Sequence, residues 1–406
     1  MNNLLRNLVA KTPFAKRAYH AIKRSNDASC GKATEASNTT KPVILRQGHS
    51  DNFDNMPLKV HWQLTAFCNY RCSYCIRADR GYKKSFCSVE QIEKAIRHIA
   101  SVNRSGYHVI LEGGEPTIHP HFKKIITLMY EHLGDRLECL SIISNGTFDV
   151  SEMLSILSEA ENRLVKLNIS VHLEYMSVDR IVELVERLSG RVFLIFLVML
   201  HPELFEKAET VVNVLCDLRK RYPFILQLKT IREPPTFDKV DHRYSQQHFE
   251  WAEKARIRFL KEAKDSGVKI LKDVPGGSWK FLVERDEGDG IRIYNEIQPN
   301  NLNTLTGNVY TGMTCCAGTH SIIIQEDGFV SGMICGLDNP VYNIFEENPF
   351  IHNDWMHGVM CTNAKCYIID DHCIPKFSSL EAAERFIEEK RSEQKRLIDE
   401  FKKKNE

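Results

Sequence analysis

The sequence predicts an α/β protein, a partial (β/α)6 barrel followed by a small cysteine-rich α+β module. Three observations predict it. From Leu58 onward a short β-branched or apolar run is followed, six times over, by an amphipathic stretch of helical length. The chemically distinctive residues fall at the carboxyl end of each run, which is where parallel βα barrels build their sites. Near Lys272 the alternation stops, and cysteines gather instead at Cys315, Cys316, Cys335, Cys361, Cys366 and Cys373. Six units rather than eight predict an open barrel with its site at the carboxyl rim.

The first strand, 58–64, runs into the loop Thr65 to Arg77, and a helix follows over 88–100 with Ser88 as its cap. The second strand, 107–111, ends in Glu112-Gly113-Gly114-Glu115-Pro116. The third, 139–143, ends in Ser144-Asn145-Gly146-Thr147, and the fourth, 165–171, ends at His172. The fifth, 192–200, ends at His201-Pro202, and the sixth, 225–229, at Thr230. Beyond 272, residues 274–308 read as irregular β structure or a bridging loop. The runs 320–325 and 329–333, joined by Asp327-Gly328, read as a hairpin. Residues 380–404 form a charged helix with a sparse apolar stripe at Ala383, Phe386, Ile387 and Leu397, a peripheral cap. The expected units are therefore 1–57, an amino-terminal segment and linker, 58–271, the barrel, 272–378, the cysteine-rich module, and 379–406, the terminal helix.

The chain has 406 residues, 43% of them hydrophobic and 26% charged, enough for a large core and a second module. Lys and Arg number 54 against 53 Asp and Glu, so no global field favours nucleic acid, and no nucleic-acid partner is expected. Thirteen cysteines without an apolar signal segment fit metal-bound thiolates in a reducing cytoplasm better than disulfides. The longest apolar run, 192–200, is far short of the ~18 residues of a spanning helix. Residues 1–24 carry six cations and no acid, with Leu4, Leu5, Leu8 and Val9 on one helical face. That segment reads as a weak membrane-surface helix, which would put the chain at the inner membrane surface, as a basic targeting peptide, or as a frayed solvated helix interrupted by Pro13. Residues 25–57, rich in Ser, Thr, Asn, Asp and Gly, read as a linker.

The loop after the first strand sets Cys68, Cys72 and Cys75 in a C-x3-C-x2-C array. Three thiolates at this spacing suit an iron–sulfur cluster with one iron left open; zinc is the other metal, but it wants a fourth ligand and the nearest spare thiol is Cys87. With aromatic Tyr74 before the last cysteine, Gly113-Gly114-Glu115-Pro116, Ser144-Asn145-Gly146-Thr147 and Ser170-Val171-His172 on successive strands, the chain resembles the radical S-adenosylmethionine enzymes. The resemblance covers about 58–230 and implies a TIM-like partial barrel. It also implies a 4Fe-4S cluster on Cys68, Cys72 and Cys75 whose open iron binds S-adenosylmethionine, which is cleaved to a deoxyadenosyl radical. It implies that Gly113, Gly114, Glu115 and Pro116 meet the methionyl end, that Ser144 and Asn145 meet the ribose, and that Tyr74 packs near adenine. Ser170 and His172 are further candidates for cofactor or substrate.

The carboxyl-terminal cysteines resemble this family's auxiliary-cluster modules, called twitch and SPASM domains. That implies one auxiliary 4Fe-4S cluster, on Cys316, Cys335, Cys366 and Cys373 with Cys315 or Cys361 as alternates; a zinc ribbon would use the same thiolates. Cys30, Cys87, Cys139 and Cys216 read as core residues or bystanders.

The function this implies is an oxidoreductase that abstracts hydrogen from a C–H bond, with a net oxidation. Candidate bases on the rim are His172, His201, Lys229 and Arg232. A small polar substrate, such as a sugar, cyclitol or glycan precursor, is set against a peptide to be crosslinked, epimerised or thioether-bridged. Residues 1–57 look too polar to fold a peptide-binding domain, which favours the small molecule. An electron donor such as flavodoxin or ferredoxin is expected. The third reading is a non-catalytic iron–sulfur or zinc sensor on a barrel scaffold.

Overall fold

The computed structural model describes residues 43–48, 55–77, 84–158, 164–233, 239–269, 281–286, 291–296, 310–339, 341–363, 366 and 370–405. The expectations for residues 1–24 and for Cys30 lie outside them.

Six strands, β2 (Leu58–Thr65), β3 (Tyr107–Gly113), β4 (Leu137–Ser144), β5 (Leu164–His172), β6 (Phe193–Leu200) and β7 (Ile225–Thr230), pair in chain order and all in parallel. Each is followed by a helix: α1 (Val89–Ser101), α2 (Phe122–Leu133), α3 (Val150–Ser158), α4 (Val178–Leu188), α5 (Phe205–Arg219) and α6 (Gln246–Asp265). The structure is thus the partial (β/α)6 barrel that the alternation predicts. Local chemistry starts the helices where expected. Ser88 accepts from the Gln91 backbone, and the Gln91 side chain accepts from the Ser88 N–H, a reciprocal cap.

One face of the sheet is sealed by helices and the other is open. On β5, Val165, Leu167, Ile169 and Val171 are buried toward the helices, while Lys166, Asn168, Ser170 and His172 alternate with them and stay half-buried inside the barrel. Burial of side chains such as Leu167 and Phe196, each 0% exposed, contributes roughly 1.5–3 kcal/mol apiece. The inner face keeps its polar groups because it is not part of that core.

The cysteine-rich module is joined to the barrel more intimately than its sequence suggests. Of the predicted hairpin, β11 (Ser321–Ile324) pairs in parallel with β2, and β12 (Phe329–Ser331) continues antiparallel to β13 (Tyr342–Asn343), so the hairpin extends the barrel sheet. A second, antiparallel sheet has the order β14-β10-β15-β1-β8-β9. Its strands are β1 (Val43–Gly48), β8 (Phe281–Asp286), β9 (Ile291–Glu296), β10 (Thr314–Ala317), β14 (His357–Met360) and β15 (Lys376–Phe377). The run Val43–Gly48 was expected to be linker; it is a strand. Val43, Ile44 and Leu45 are a short apolar run inside a polar stretch, and the pairing that makes the segment a strand is with β8 and β15, more than two hundred residues away.

The terminal helix α7 (Leu380–Asn405) buries Ala383, Phe386, Ile387, Leu397 and Ile398. It also reaches the barrel, where the buried Arg104 donates to Gln394 Oε1 and to the Thr319 carbonyl, both at 3.1 Å. Among the described residues no helix is long and apolar enough to cross a membrane.

Ile322, 0% exposed on β11, packs where module and barrel share a sheet. Ile322→Ala is expected to cost about 2–5 kcal/mol, lowering the urea midpoint and speeding amide exchange in β2. Unchanged exchange in β2 would mean that the module does not brace the barrel edge.

Candidate functional site

At the carboxyl rim the first turn is made by Thr65, fully buried, whose hydroxyl donates to the Ser85 carbonyl and accepts from Phe67 N–H. The Gly-Gly pair then fits directly beneath the cysteine loop. Gly114 N–H donates to the Thr65 carbonyl (2.7 Å) and Glu115 N–H to the Phe67 carbonyl (2.9 Å). A Cβ on Gly114 would stand 2.1 Å from the Phe67 oxygen, and one on Gly113, whose φ is +136°, 2.4 Å from the Thr65 oxygen. The glycines were expected to admit a ligand; what they visibly admit is the backbone of the cysteine loop.

Glu115 is fully buried and joins the ends of β3 and β4. Its Oε1 accepts from Ser144 Oγ (2.9 Å) and from Thr117, and its Oε2 from Asn145 N–H (2.6 Å). Burial pushes its carboxyl up, and these donors pull it back toward the ionised form. Glu115 and Ser144, both expected to meet a ligand, are thus hydrogen-bonded to each other at the rim. Asn145 continues the chain of contacts into the loop. Its Nδ2 donates to Asn69 Oδ1 (2.7 Å) and to Cys68 Sγ (3.7 Å), while its Oδ1 accepts from Thr147 N–H and hydroxyl.

Cys68, Cys72 and Cys75 are free, half-buried thiols on this rim. Cys68 Sγ accepts from Tyr70 N–H at 3.4 Å, and Cys75 N–H donates to the Cys72 carbonyl at 3.1 Å. Burial pushes the Cys72 thiol up to about 12, with further upward pressure from Glu174, Cys75 and Cys68. The three thiols sit on one loop at the rim, and Cys75 and Cys68 add to the upward pressure on Cys72; soft thiolates so grouped are the donor set an iron–sulfur cluster takes.

The far side of the loop rests on β5 and β6. Tyr74 hydroxyl meets His172 Nδ1 at 2.8 Å, its ring stacked on the imidazole at 5.8 Å. Burial lowers the His172 pKa to about 4, so the ring is neutral at ordinary pH. His201 Nδ1 accepts from Glu203 N–H, which leaves its Nε2 protonated to donate toward Ser73 Oγ (3.3 Å). Both histidines thus hold the loop. Ser170 lies on the inner face, level with Leu197 and Gln227; His172 is level with Met199 and Lys229. Lys229 stands two strands from His172, about 10 Å along the sheet. Its pKa is lowered by burial and by Arg232.

Sequence reasoning missed several members of this assembly. Glu174 accepts from Ser73 N–H (3.1 Å), and Tyr175 stacks on Tyr70 at 4.3 Å while its hydroxyl accepts from Arg71 N–H. Arg77 pairs with Glu326 at 2.9 Å and Cys87 Sγ donates to the Glu326 carbonyl, clamping the cysteine loop to the β11–β12 turn. The one available signal was position, since Glu174 and Tyr175 directly follow a strand whose end had already been singled out.

A second group of thiols lies in the module. Cys361, Cys366 and Cys373 pack with Tyr310 and Met313, and Cys315 and Cys335 pack with Met333 and Ile374. Leu337 touches both groups. Burial pushes the Cys315 thiol up to about 12, and its neighbours Cys361 and Cys366 add to the effect. Cys316, the predicted ligand, is 0% exposed in the main hydrophobic core, because successive residues of β10 face opposite sides. The alternate Cys315, rather than Cys316, lies on the side of β10 that faces Cys335, Cys361 and Cys366. Among these thiols sits the ammonium of Lys376. Burial alone would lower its pKa, but Cys315, Cys366 and Asp371 hold it above the ordinary lysine value.

Residues 62–173 match the family model of the Radical SAM superfamily. Among solved structures the chain is similar to Streptococcus suis SuiB bound to S-adenosylmethionine, at 14% identity over 72% of this chain and 64% of that one, with a TM-score of 0.46. It is also similar to native anSMEcpe with bound AdoMet, at 16% identity over 85% of this chain and 100% of that one, with a TM-score of 0.49. A third is BtrN in complex with AdoMet and 2-DOIA, at 15% identity over 55% of this chain and 95% of that one, with a TM-score of 0.27. The chain thus spans 64% of the length of SuiB.

Gly114→Ala is expected to displace the Phe67 carbonyl and cut iron retention after anaerobic reconstitution several-fold; full retention would contradict the close approach as a requirement. In the module, Cys315→Ser is expected to lower bound metal and Cys316→Ser to leave it unchanged. The reverse pattern would restore Cys316 as the ligand.

Proposed function

We propose that this protein is a radical SAM enzyme, a reading supported by the superfamily match at residues 62–173, and that it abstracts a hydrogen atom from a C–H bond of a small polar molecule and completes a net oxidation. The observation that carries this reading is the convergence of three free thiols with the Gly113-Gly114 and Ser144-Asn145 turns on one rim of the barrel. Cys68, Cys72 and Cys75 would hold the [4Fe–4S] cluster. The backbone of Gly113 to Pro116 and the turn at Asn145, both at this rim, would border S-adenosylmethionine. A cluster on Cys68, Cys72 and Cys75 with S-adenosylmethionine would supply radical chemistry for removing the hydrogen atom, and a cluster on the module's cysteines would supply an electron acceptor.

The chain's own residues shape the rest. The inner face presents Gln63 and Glu112 in register on β2 and β3, Asn168, Ser170 and His172 on β5, and Gln227 and Lys229 on β7. Asn168 donates to Ser141 Oγ (2.8 Å), and Glu112 lies 3.6 Å from His61 Nδ1. A wall this rich in donors and acceptors favours a hydroxylated or otherwise polar substrate over an apolar one. Of the four candidate bases, His172 and His201 are committed to Tyr74 and Ser73, and the guanidinium of Arg232 does not give up its proton. Lys229, level with His172 on the inner face and open to solvent, donates no hydrogen bond among the described residues. We assign it as the base. Electrons for the first cluster would come from a small reductant such as flavodoxin or ferredoxin.

Reconstituted protein given dithionite and S-adenosylmethionine is expected to release deoxyadenosine and methionine, and deuterium from the true substrate should appear in the deoxyadenosine. Joint replacement of Cys68, Cys72 and Cys75 by Ala is expected to abolish cleavage while the module keeps its iron. Protein containing both clusters that leaves S-adenosylmethionine intact would instead point to a sensor.

A further inference from the structure

We propose that Lys376 is a fixed counter-charge for the auxiliary cluster, a charge-compensating residue whose buried ammonium favours the reduced, more negative state and so raises the cluster's reduction potential. The inference rests on the reading of the module's thiols as an iron–sulfur site.

Lys376 is 1% exposed on β15, where it is the register partner of Cys315 on β10. Its Nζ donates to the carbonyls of Asp371 (2.5 Å) and Ile374 (3.0 Å), which flank Cys373 in the chain. An ammonium has three donors, and the third meets no acceptor among the described residues. The Asp371 carboxylate, 2% exposed, acts on this ammonium through space but spends its hydrogen bonds on Ile334 N–H (3.0 Å) and Cys335 N–H (2.7 Å). One acid and one base therefore brace the same nest of five thiols from different sides. Asp371 fixes the backbone that carries Cys335, and Lys376 fixes the turn that carries Cys373.

A buried cation needs anions close by; two carbonyls and the Tyr310 ring, whose centroid is 6.0 Å from Nζ, supply partial charge, and Asp371 one carboxylate. Thiolates around a metal cluster supply the rest. A four-thiolate cluster is anionic, and one-electron reduction adds a further negative charge. A fixed positive charge in a dry site stabilises the reduced form more than the oxidised one. No lysine is needed there for packing alone, since a methionine or leucine would fill the same buried space without a desolvation cost. The position is specific to this site, because Lys376 faces Cys315 across the ladder while the neighbouring Phe377 turns into the hydrophobic core.

The test uses the full chain with Cys68, Cys72 and Cys75 replaced by Ala, so that the auxiliary cluster gives the only paramagnetic signal during a mediated dithionite titration. Lys376→Met is expected to lower the ratio of reduced to oxidised cluster at a fixed poise by at least tenfold, a midpoint shift of about 59 mV to more negative potential. Lys376→Arg, which keeps the charge, is expected to stay near the parent value. An unchanged midpoint in Lys376→Met overturns the proposal. If Lys376→Met takes up no iron, Lys376→Arg decides: normal loading and midpoint support a need for the charge, and loss of iron from both overturns it in favour of shape. Zinc in place of iron in the parent chain would remove the auxiliary cluster from the functional reading and this inference with it. Release of deoxyadenosine by the unsubstituted enzyme tests S-adenosylmethionine cleavage independently.

Discussion

The buried carboxylate of Glu115 is the constraint on which the rim depends. It gathers Ser144 Oγ, the Asn145 N–H and Thr117 into one fully buried knot, and the same short segment hangs from the Thr65 and Phe67 carbonyls through Gly114 and Glu115 N–H. The ends of β2, β3 and β4 are thereby locked to one another before any ligand arrives. A group this buried is costly to leave unpaired, so the knot is all or nothing. Asn145 then transmits its position to Cys68, and preorganisation of the thiol loop follows from the carboxylate below it.

The loop is held from above as well. Tyr74 on His172, Tyr70 on Tyr175, Ser73 on Glu174 and Arg77 on Glu326 fix successive residues of a stretch with no regular secondary structure of its own. The last of these belongs to the turn between β11 and β12, so the carboxyl-terminal module helps to position the amino-terminal cysteines. The two thiol sites are linked through a shared sheet rather than a flexible tether. In the module the electrostatic logic is the same, with Asp371 and Lys376 replacing Glu115 as buried charges that orient cysteine-bearing backbone.

Much of this was legible in the sequence because it is local. Period and capping residues locate the strands and helices of the barrel within a residue or two, and the order of the four motifs identifies the rim. What escaped is non-local or depends on which way a side chain turns. Val43–Gly48 becomes a strand only through β8 and β15. Cys315 and Cys316 are indistinguishable until β10 is flanked by β14 on one side and β15 on the other. The hydrogen bond between Ser144 and Glu115 depends on the ends of β3 and β4 lying side by side, which no local pattern gives. Lys376 drew no expectation from the sequence, and its burial comes from the pairing of β15 with β10 and β1.

The central claim is that the rim presents a cluster with an open iron for S-adenosylmethionine, while the module holds a cluster closed by protein thiolates. Paramagnetic resonance of the dithionite-reduced, fully loaded enzyme, recorded with and without S-adenosylmethionine, tests it most directly. The account predicts two signals, of which the one lost on removing Cys68, Cys72 and Cys75 changes shape when S-adenosylmethionine is added and the other does not. Two signals that both ignore S-adenosylmethionine would contradict it.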